Sequence, residues 1–442
     1  MTNTLQIGAY EVPVRYRPDV CIIGAGPSGV AAAVAAARQG LSVLIVEKYG
    51  FGGGATVAGL SGTICGLFSS GKKPEQIVFG FADEFYRLLQ ARGGVSDPVP
   101  FGNTMLVPHD SLQWKETADD LLVANGCTIL YHTYFLKAFT DPGGSITSVL
   151  LRGQEGQFAV VPGFVVDASG DAEVVHSVSG ATYLGNNGIV QTPTMIFKMG
   201  NVDIPAFMAL NPTELNNKIA AADRSGNYRL PRHHVYIFPL PNSGEVLCNM
   251  TRITNEDGTV PLGIVSEDLT YAEIAGRKQA REYARFLTEQ VGAFSKAYIC
   301  DTGVQVGIRQ TRSIVGKEKL MNADVITALK TIHAVVHSAW PIELHSAGEV
   351  KIHCLDNDYY EIPFETLIPQ HSANLLVAGR CMSAEHEALA SARVTAQCFG
   401  MGYAVGAACG LVLREKLKAE NLNGLMVKEW MKQHHLKNTY EQ

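Results

Sequence analysis

The stretch from Pro18 to Lys48, PDVCIIGAGPSGVAAAVAAARQGLSVLIVEK, most narrows what this chain can fold into. It reads as an apolar strand, a glycine turn, a helix of small residues, a second apolar strand and then an acid. That order is how a βαβ unit seats a dinucleotide. Gly24 lets the chain leave the first strand sharply. Gly26 has no side chain, so a pyrophosphate can approach the backbone. Gly29, with Ala31–Ala33 and Ala35–Ala37, lets the helix lie close to the sheet. The helix N-terminus then aims free N–H groups and the positive end of the helix dipole at the phosphates. Glu47 ends the second strand, 23 positions after Gly24, where a carboxylate can accept both ribose hydroxyls. A GxGxxG alone is a weak signal in a chain with 44 glycines. The flanking strands and the spaced acid give this one its weight.

At 442 residues the chain exceeds one compact core, and two domains are expected. A hydrophobic fraction of 46% with 18% charged residues supplies large cores and excludes a disordered protein. The net charge of −6 and the lack of any basic run beyond Lys72–Lys73 give no reason to expect nucleic acid or an anionic membrane. Nine cysteines without a CxxC pair argue against a disulfide framework and against a zinc or iron–sulfur site built from local cysteines. A reduced, cytoplasmic setting is the expectation. The first seventeen residues lack the apolar core of a secretory signal. Ala388–Leu413 is apolar and long enough to span a membrane, but Arg393, Gln397 and its crowd of Gly and Ala read as a buried helix.

The βαβ unit is followed by GFGGGATVAGLSGTICGLFSS, a long, nearly uncharged glycine-rich loop of the kind that lines a site. Helices are expected over Glu75–Leu89 and Asp110–Ala124, then a strand over Cys127–Ala138. Ser145–Arg152 and Gln157–Val166 read as strands around a hairpin turn, and the second runs into DASGDAEV. Beyond Gln191 the texture changes. Strands are expected at Thr194–Met199, Val235–Leu240 and Glu245–Arg252, with a helix over Tyr271–Val291. NLLVAG at Asn374–Gly379 then reads as a short buried strand leading into a long small-residue helix, as if the chain returns to its first domain.

Four separated blocks carry the chemistry: GAGPSG with Glu47; GGGATVAG at 52–59; DASGDA at 167–172; and NLLVAGRCMSAEHEALASARVTAQCFGMGYAVG at 374–406. With GIRQTRSIVG at Gly307–Gly316 and GCTILYHTYF at Gly126–Phe135, they make the chain resemble the two-dinucleotide-binding-domain flavoproteins. Among these it is most similar to the FAD-dependent oxidoreductase family with GxRxxRxIVG and LLVAGRCxSAxHEALAS segments. The resemblance covers nearly the whole chain and is thinnest over 200–300.

It implies an α/β fold: a discontinuous Rossmann-like FAD-binding domain, 1–190 and 351–442, with an inserted α+β substrate domain, 191–350. FAD is the implied cofactor. Gly24, Gly26, Pro27, Ser28 and Gly29 would face its pyrophosphate, and Glu47 with Lys48 its ribose. The backbone of Phe135 would meet the adenine. Gly53, Gly54, Ala55 and Thr56 would run beside the ribityl chain and ring, with Ala168 and Gly170 near the phosphates. Gly379 and Arg380 would deliver a second helix N-terminus, formed by Val394, Thr395, Ala396 and Gln397, to the flavin. Backbone N–H groups there would stabilise the reduced ring.

For substrate chemistry the candidates are Arg309, Arg312, Glu385, His386 and Cys65. An arginine at 309 or 312 can clamp a carboxylate, or make an interdomain salt bridge or a flavin contact. His386 can take a substrate proton while a hydride moves, or belong with Glu385 to a capped turn. Cys65 can act as a thiol at the flavin or be buried and inert. His109 with Asp110 looks like helix capping. His233–His234 and His333/His337, the latter spaced i, i+4 on a plausible helix, lack HExxH and a third ligand, so no metal is expected. The main expectation is hydride transfer between a small organic molecule and the flavin. A monooxygenase- or halogenase-like enzyme, or a flavin-binding electron-transfer component of a larger complex, is the alternative. No second nucleotide motif is seen, and the electron acceptor and any homo-oligomer stay open.

Overall fold

VCII and VLIV are apolar without alternation, and a strand can be so only if both of its faces are covered. In the computed structural model, which describes residues 11–346 and 350–440, both runs are fully buried strands, Val20–Ile23 and Val43–Val46. They lie in a five-stranded parallel sheet with the order Leu375–Val377, Phe164–Asp167, Val20–Ile23, Val43–Val46, Thr128–Leu130. Register sets Val377, Asp167, Ile23 and Val46 level with one another. The four strands therefore end together, and the next residue of each turns out at one common edge.

Helices Pro27–Ala37 and Thr395–Glu415 pack on each other with almost no space for side chains. A Cβ on Gly402 would stand 2.0 Å from the Ser28 carbonyl oxygen, and one on Gly406 would stand 2.2 Å from that of Ala32. With Gly410, these glycines form an i, i+4, i+8 stripe on one helix face. The stripe explains the small-residue composition of this helix. It is long and apolar enough to cross a membrane, yet it is almost wholly covered by protein. The reading of a buried helix stands. The single helix expected after Gly379 is instead two, His386–Ala392 and Thr395–Glu415, separated by Arg393 and Val394.

A four-stranded sheet, Val14–Tyr16, Gly156–Val160, Ile146–Gly153 and Tyr134–Thr140, flanks the parallel one. Two sequence expectations fail here. The run Cys127–Ala138 divides into Thr128–Leu130 and Tyr134–Thr140 because the chain turns at His132, whose φ is +52°. The run Gln157–Val166 likewise serves two sheets, one strand on each side of Pro162–Gly163. The first expected helix begins at Phe81, six residues later than Glu75.

A second buried cluster runs from Met195 to Ile308. Its sheet, Tyr236–Pro239, Val246–Asn249, Phe197–Gly200 and Tyr298–Thr302, is antiparallel. The helix Ser266–Gln290 turns Ala272, Gly276, Ala280, Tyr283 and Leu287 inward, spaced three or four apart as one helix face requires. The inserted unit was expected to reach residue 350, but Ile314, Val325, Val335, Val336, Ile342 and Leu344 are buried in the first cluster. The outer limits expected for the domains, residues 1–10 and 441–442, lie outside the described residues, as do 347–349 and most of the stretch read for a secretory signal.

Candidate active site

Gly24, Glu47, Ala168 and Ala378 directly follow the four level strands, and all four line one cavity of about 340 Å³. A cleft at the carboxyl ends of parallel strands is where this architecture holds ligands. The Gly24 turn is tight: its φ is +100°, and a Cβ there would lie 2.5 Å from the Ala168 carbonyl oxygen. Gly29 lies away from the cavity lining, and a Cβ on it would stand 1.9 Å from the Gly24 carbonyl oxygen. Gly26 is the N-cap of Pro27–Ala37 and Gly54 that of Ala55–Ala58, and neither helix has a side-chain cap. Val394 begins Thr395–Glu415, also without one. All three caps line the cavity. Elsewhere Asp110, Asp203, Asn211 and Asn423 cap their helices with side-chain oxygens. At the two longer helices the first-turn N–H groups are thus left for an acceptor from outside the chain, whereas Thr56, Val57 and Ala58 already donate to Gly53 O and Gly54 O.

Glu47 is 6% exposed and uses one lone pair on each oxygen. Oε2 accepts from the Ala25 amide at 2.8 Å and Oε1 from the Tyr49 amide at 3.0 Å. Burial raises its pKa, and these two hydrogen bonds work the other way. A carboxylate held in this way keeps acceptor capacity for ribose hydroxyls. Asp167 fixes the DASGDA turn from below, accepting from the Ser169, Val174 and Val175 amides. Arg380 donates to Asp171 Oδ1 at 2.8 Å. Uncapped helix ends, glycine turns and a spaced acid together fit a dinucleotide cofactor.

The other wall comes from Thr194, Ile196, Asn249, Gln305–Arg309 and Trp340, Glu343 and His345. It is locked to the first wall by one backbone and one side-chain hydrogen bond: the Gln305 backbone amide donates to Ala58 O, and the Tyr49 hydroxyl donates to Gln305 Oε1. Trp340 stacks on Phe101 with ring centres 5.0 Å apart.

Of the residues singled out by sequence, Gly24, Gly26, Pro27, Ser28, Glu47, Lys48, Gly54, Ala55, Thr56, Phe135, Ala168, Gly170, Gly379, Arg380, Val394 and Thr395 line the cavity. Arg309 and Cys65 do so as well. Gly53, Ala396 and Gln397 do not. Gly53 donates its amide to Ala25 O, which ties the second glycine loop to the first. Gln397 is buried and donates to Gly66 O and His337 O, a structural brace. Ala396 is buried one residue into its helix.

Three catalytic candidates also fall outside the cavity lining. Glu385 caps no amide of its own helix; its Oε2 accepts from Asn322 N at 2.7 Å. His386 is the first residue of that helix, and burial lowers its pKa. Arg312 lies in a strand paired with Thr182–Leu184 and donates to Asp171 O. Burial pushes the Cys65 thiol up to about 12, so it is not a thiolate near neutral pH. His109 is not a cap: Asp110 accepts from Leu112 and Gln113, while the His109 ring is buried against Trp114. His337 lies in the strand Ala334–Ser338, so the expected helical histidine pair does not exist.

Sequence reading missed Glu343, His345 and Arg393. Glu343 Oε1 lies 3.0 Å from His345 Nε2. Burial acts against the Glu343 charge, but His345 and the guanidiniums of Arg232 and Arg309 outweigh it and hold the carboxyl down at about 2. Burial, then Arg309, holds His345 down at about 3, so its imidazole is neutral at pH 7. The available signal was IELH at 342–345, where two polar residues alternate with two apolar ones that turn into the core.

A family model described as FAD dependent oxidoreductase matches residues 19–432. Among solved structures, the chain is similar to a geranylgeranyl bacteriochlorophyll reductase-like protein from Thermoplasma acidophilum, with 12% identity, 95% of this chain and 83% of that one covered, and a TM-score of 0.47. It is also similar to a flavoprotein/dehydrogenase from Cytophaga hutchinsonii, with 14% identity, coverage of 94% and 83%, and a TM-score of 0.46. A third is the myxobacterial chondrochloren halogenase, with 15% identity, coverage of 95% and 79%, and a TM-score of 0.45. No curated protein matches the sequence.

Proposed function

This chain belongs to the FAD dependent oxidoreductase family, and from that premise we propose that it moves a hydride between a small organic substrate and the flavin. It is an FAD-dependent enzyme. Bound FAD supplies a ring that takes up or gives back a hydride. Gly24, Gly26, Pro27 and Ser28, at the uncapped helix start, would hold the pyrophosphate, and Glu47 the ribose. Gly54, Ala55 and Thr56, with Val394 and Thr395, would hold the remainder.

The observation that carries the reading is one cavity lined at once by this cofactor wall and by an acid–histidine pair. Hydride loss from an alcohol or amine carbon leaves an O–H or N–H proton to be removed. With Nε2–H of His345 donating to Glu343, Nδ1 is the acceptor and takes that proton. Glu343 holds the ring in this tautomer. Trp340, Ile196 and Ile308 give the cavity apolar walls that limit water.

The first test is the visible spectrum of the purified protein before and after denaturation, followed by anaerobic mixing with a panel of alcohols, amines and organic acids. Oxidised-flavin bands that bleach with one class of substrate support the proposal. A flavin that no organic substrate reduces, and whose chemically reduced form no organic acceptor reoxidises, would overturn it.

A further inference from the structure

The cofactor wall and the Glu343–His345 pair leave a set of cations without use. Arg309 and Arg393 line the cavity. Arg232, 1% exposed, stands one layer behind, and its Nη1 donates to Asn249 Oδ1, which lines the cavity. Among the described residues, none of the three has a carboxylate oxygen within ion-pair distance, whereas Arg38 and Arg380 are paired with Glu84 and Asp171. Their bonds go to neutral acceptors: Arg309 to Thr192 O at 2.7 Å and Thr194 Oγ1 at 2.5 Å, and Arg393 to Gln191 Oε1 at 2.8 Å. Buried donors remain: Arg232 Nη2 and Arg393 Nε have no hydrogen-bond partner. Like charges crowd one another, and burial followed by Arg232 and Arg393 drives the Arg309 pKa well below its ordinary value. Among the described residues Glu343 is the one carboxylate felt by all three, and its close partner is His345.

We propose that Arg309 and Arg393, backed by Arg232, form a seat for the carboxylate of a small organic acid, which is the substrate. The proposal rests on the reading of this cavity as the substrate site. A purely structural arginine is kept with an acid beside it, since a buried charge without one is costly. Among the described residues the three guanidiniums share one carboxylate, which leaves positive charge for a further anion to offset. The cofactor's phosphates do not supply it. Their seat is the wall of glycine turns and helix starts, where Arg380 is already paired; Arg309 comes from the other wall, and Arg393, just before Val394, lies between the two and feels both Arg380 and Arg309. A guanidinium fork pairs bidentately with a carboxylate and with a phosphate alike, so a titration with each compares the two directly. The bound carboxylate also offsets Arg309, which after burial is the next cause that holds His345 neutral, so the proton acceptor gains basicity when an acidic substrate is present.

The test is a titration of the FAD-loaded protein with a panel of small mono- and dicarboxylates, their primary amides and inorganic phosphate. Perturbation of the flavin absorption and isothermal calorimetry are the readouts. At least one carboxylate is expected to bind at least about tenfold more tightly than its amide and than phosphate. Arg309→Gln and Arg393→Gln are each expected to weaken it about tenfold or more with FAD content unchanged. Glu343→Gln removes the one opposing charge and is expected to tighten carboxylate binding, a gain that misfolding does not produce. No carboxylate binding, amides binding equally well, phosphate binding most tightly, or arginine variants that change FAD retention but not carboxylate affinity would each overturn the proposal. A flavin reduced by an uncharged substrate alone defeats this inference and leaves hydride transfer standing. Carboxylate binding without any redox turnover does the reverse.

Discussion

Gly26 and Gly54 face each other across the cleft, and the contact is unequal. A Cβ on Gly54 would stand 2.9 Å from Gly26 Cα, whereas a Cβ on Gly26 would meet Gly54 Cα at an ordinary 3.8 Å. The φ of Gly26 is −67°, open to any residue. Gly26→Ala is therefore expected to fold with unchanged cofactor-free stability while FAD affinity drops at least about tenfold, because the new methyl group stands at the proposed seat of the pyrophosphate. Equilibrium binding of FAD together with thermal unfolding of the cofactor-free protein checks both halves. Undiminished affinity would remove Gly26 from the cofactor wall.

The glycine stripe predicts a graded loss of stability. Gly406→Ala drives a methyl group into the Ala32 carbonyl at 2.2 Å, and backbone on both helices must give way. A loss of about 3 kcal/mol or more is expected. Gly410→Ala meets only the amide end of Gln39, which can rotate away at the expense of its bonds to Trp430, Ala35 O and Gly406 O, so about 2 kcal/mol is expected. Urea unfolding midpoints rank the two. Equal midpoints would mean that the helices are not packed as described.

What could be read from the sequence was the part that depends on local pattern. The βαβ unit announces itself because apolar strands, glycine turn and acid all lie within thirty residues. The buried nature of Thr395–Glu415 followed from its glycines. Arg309 was legible as a fixed charge in the segment GIRQTRSIVG, but its companions were not. Arg232, Glu343, His345 and Arg393 come from distant segments and meet only through the packing of one unit on the other. His386 and Glu385 misled for the same reason: the turn that carries them lies close in sequence to the cavity-lining Arg380, yet it directs them to Asn322 and the helix start.

His345 is expected to set the rate of the hydride step without setting cofactor content. His345→Asn keeps a polar group of similar size and removes the proton acceptor. Anaerobic flavin reduction by the best substrate is expected to slow by about 10²–10⁴-fold. Glu343→Gln, which leaves the ring but loosens its orientation, is expected to slow it less. Stopped-flow absorbance separates these effects from binding. A His345→Asn protein that reduces at the wild-type rate would move the base elsewhere.

His109 couples stability to pH through burial. Its ring is 1% exposed, packs against Trp114 and leaves Nε2 without a partner, and burial lowers its pKa to about 4. In the unfolded chain the same group titrates near ~6.5. Below that pH the unfolded state binds a proton that the folded state refuses. The favourable contribution is complete above about pH 6.5 and is lost as the pH falls toward about 4. At pH 5 the loss from this one group is about 2 kcal/mol. His345 and His337, also held down by burial, act in the same direction, so acid sensitivity is a property of the whole fold. His109→Leu removes one share of it. Its unfolding free energy should fall less between pH 7.5 and pH 5 than that of the wild-type protein, even if the variant is less stable at neutral pH through looser packing. The comparison is a difference of differences, so a uniform packing loss cancels. Parallel pH profiles would mean that His109 is not held neutral in the folded protein.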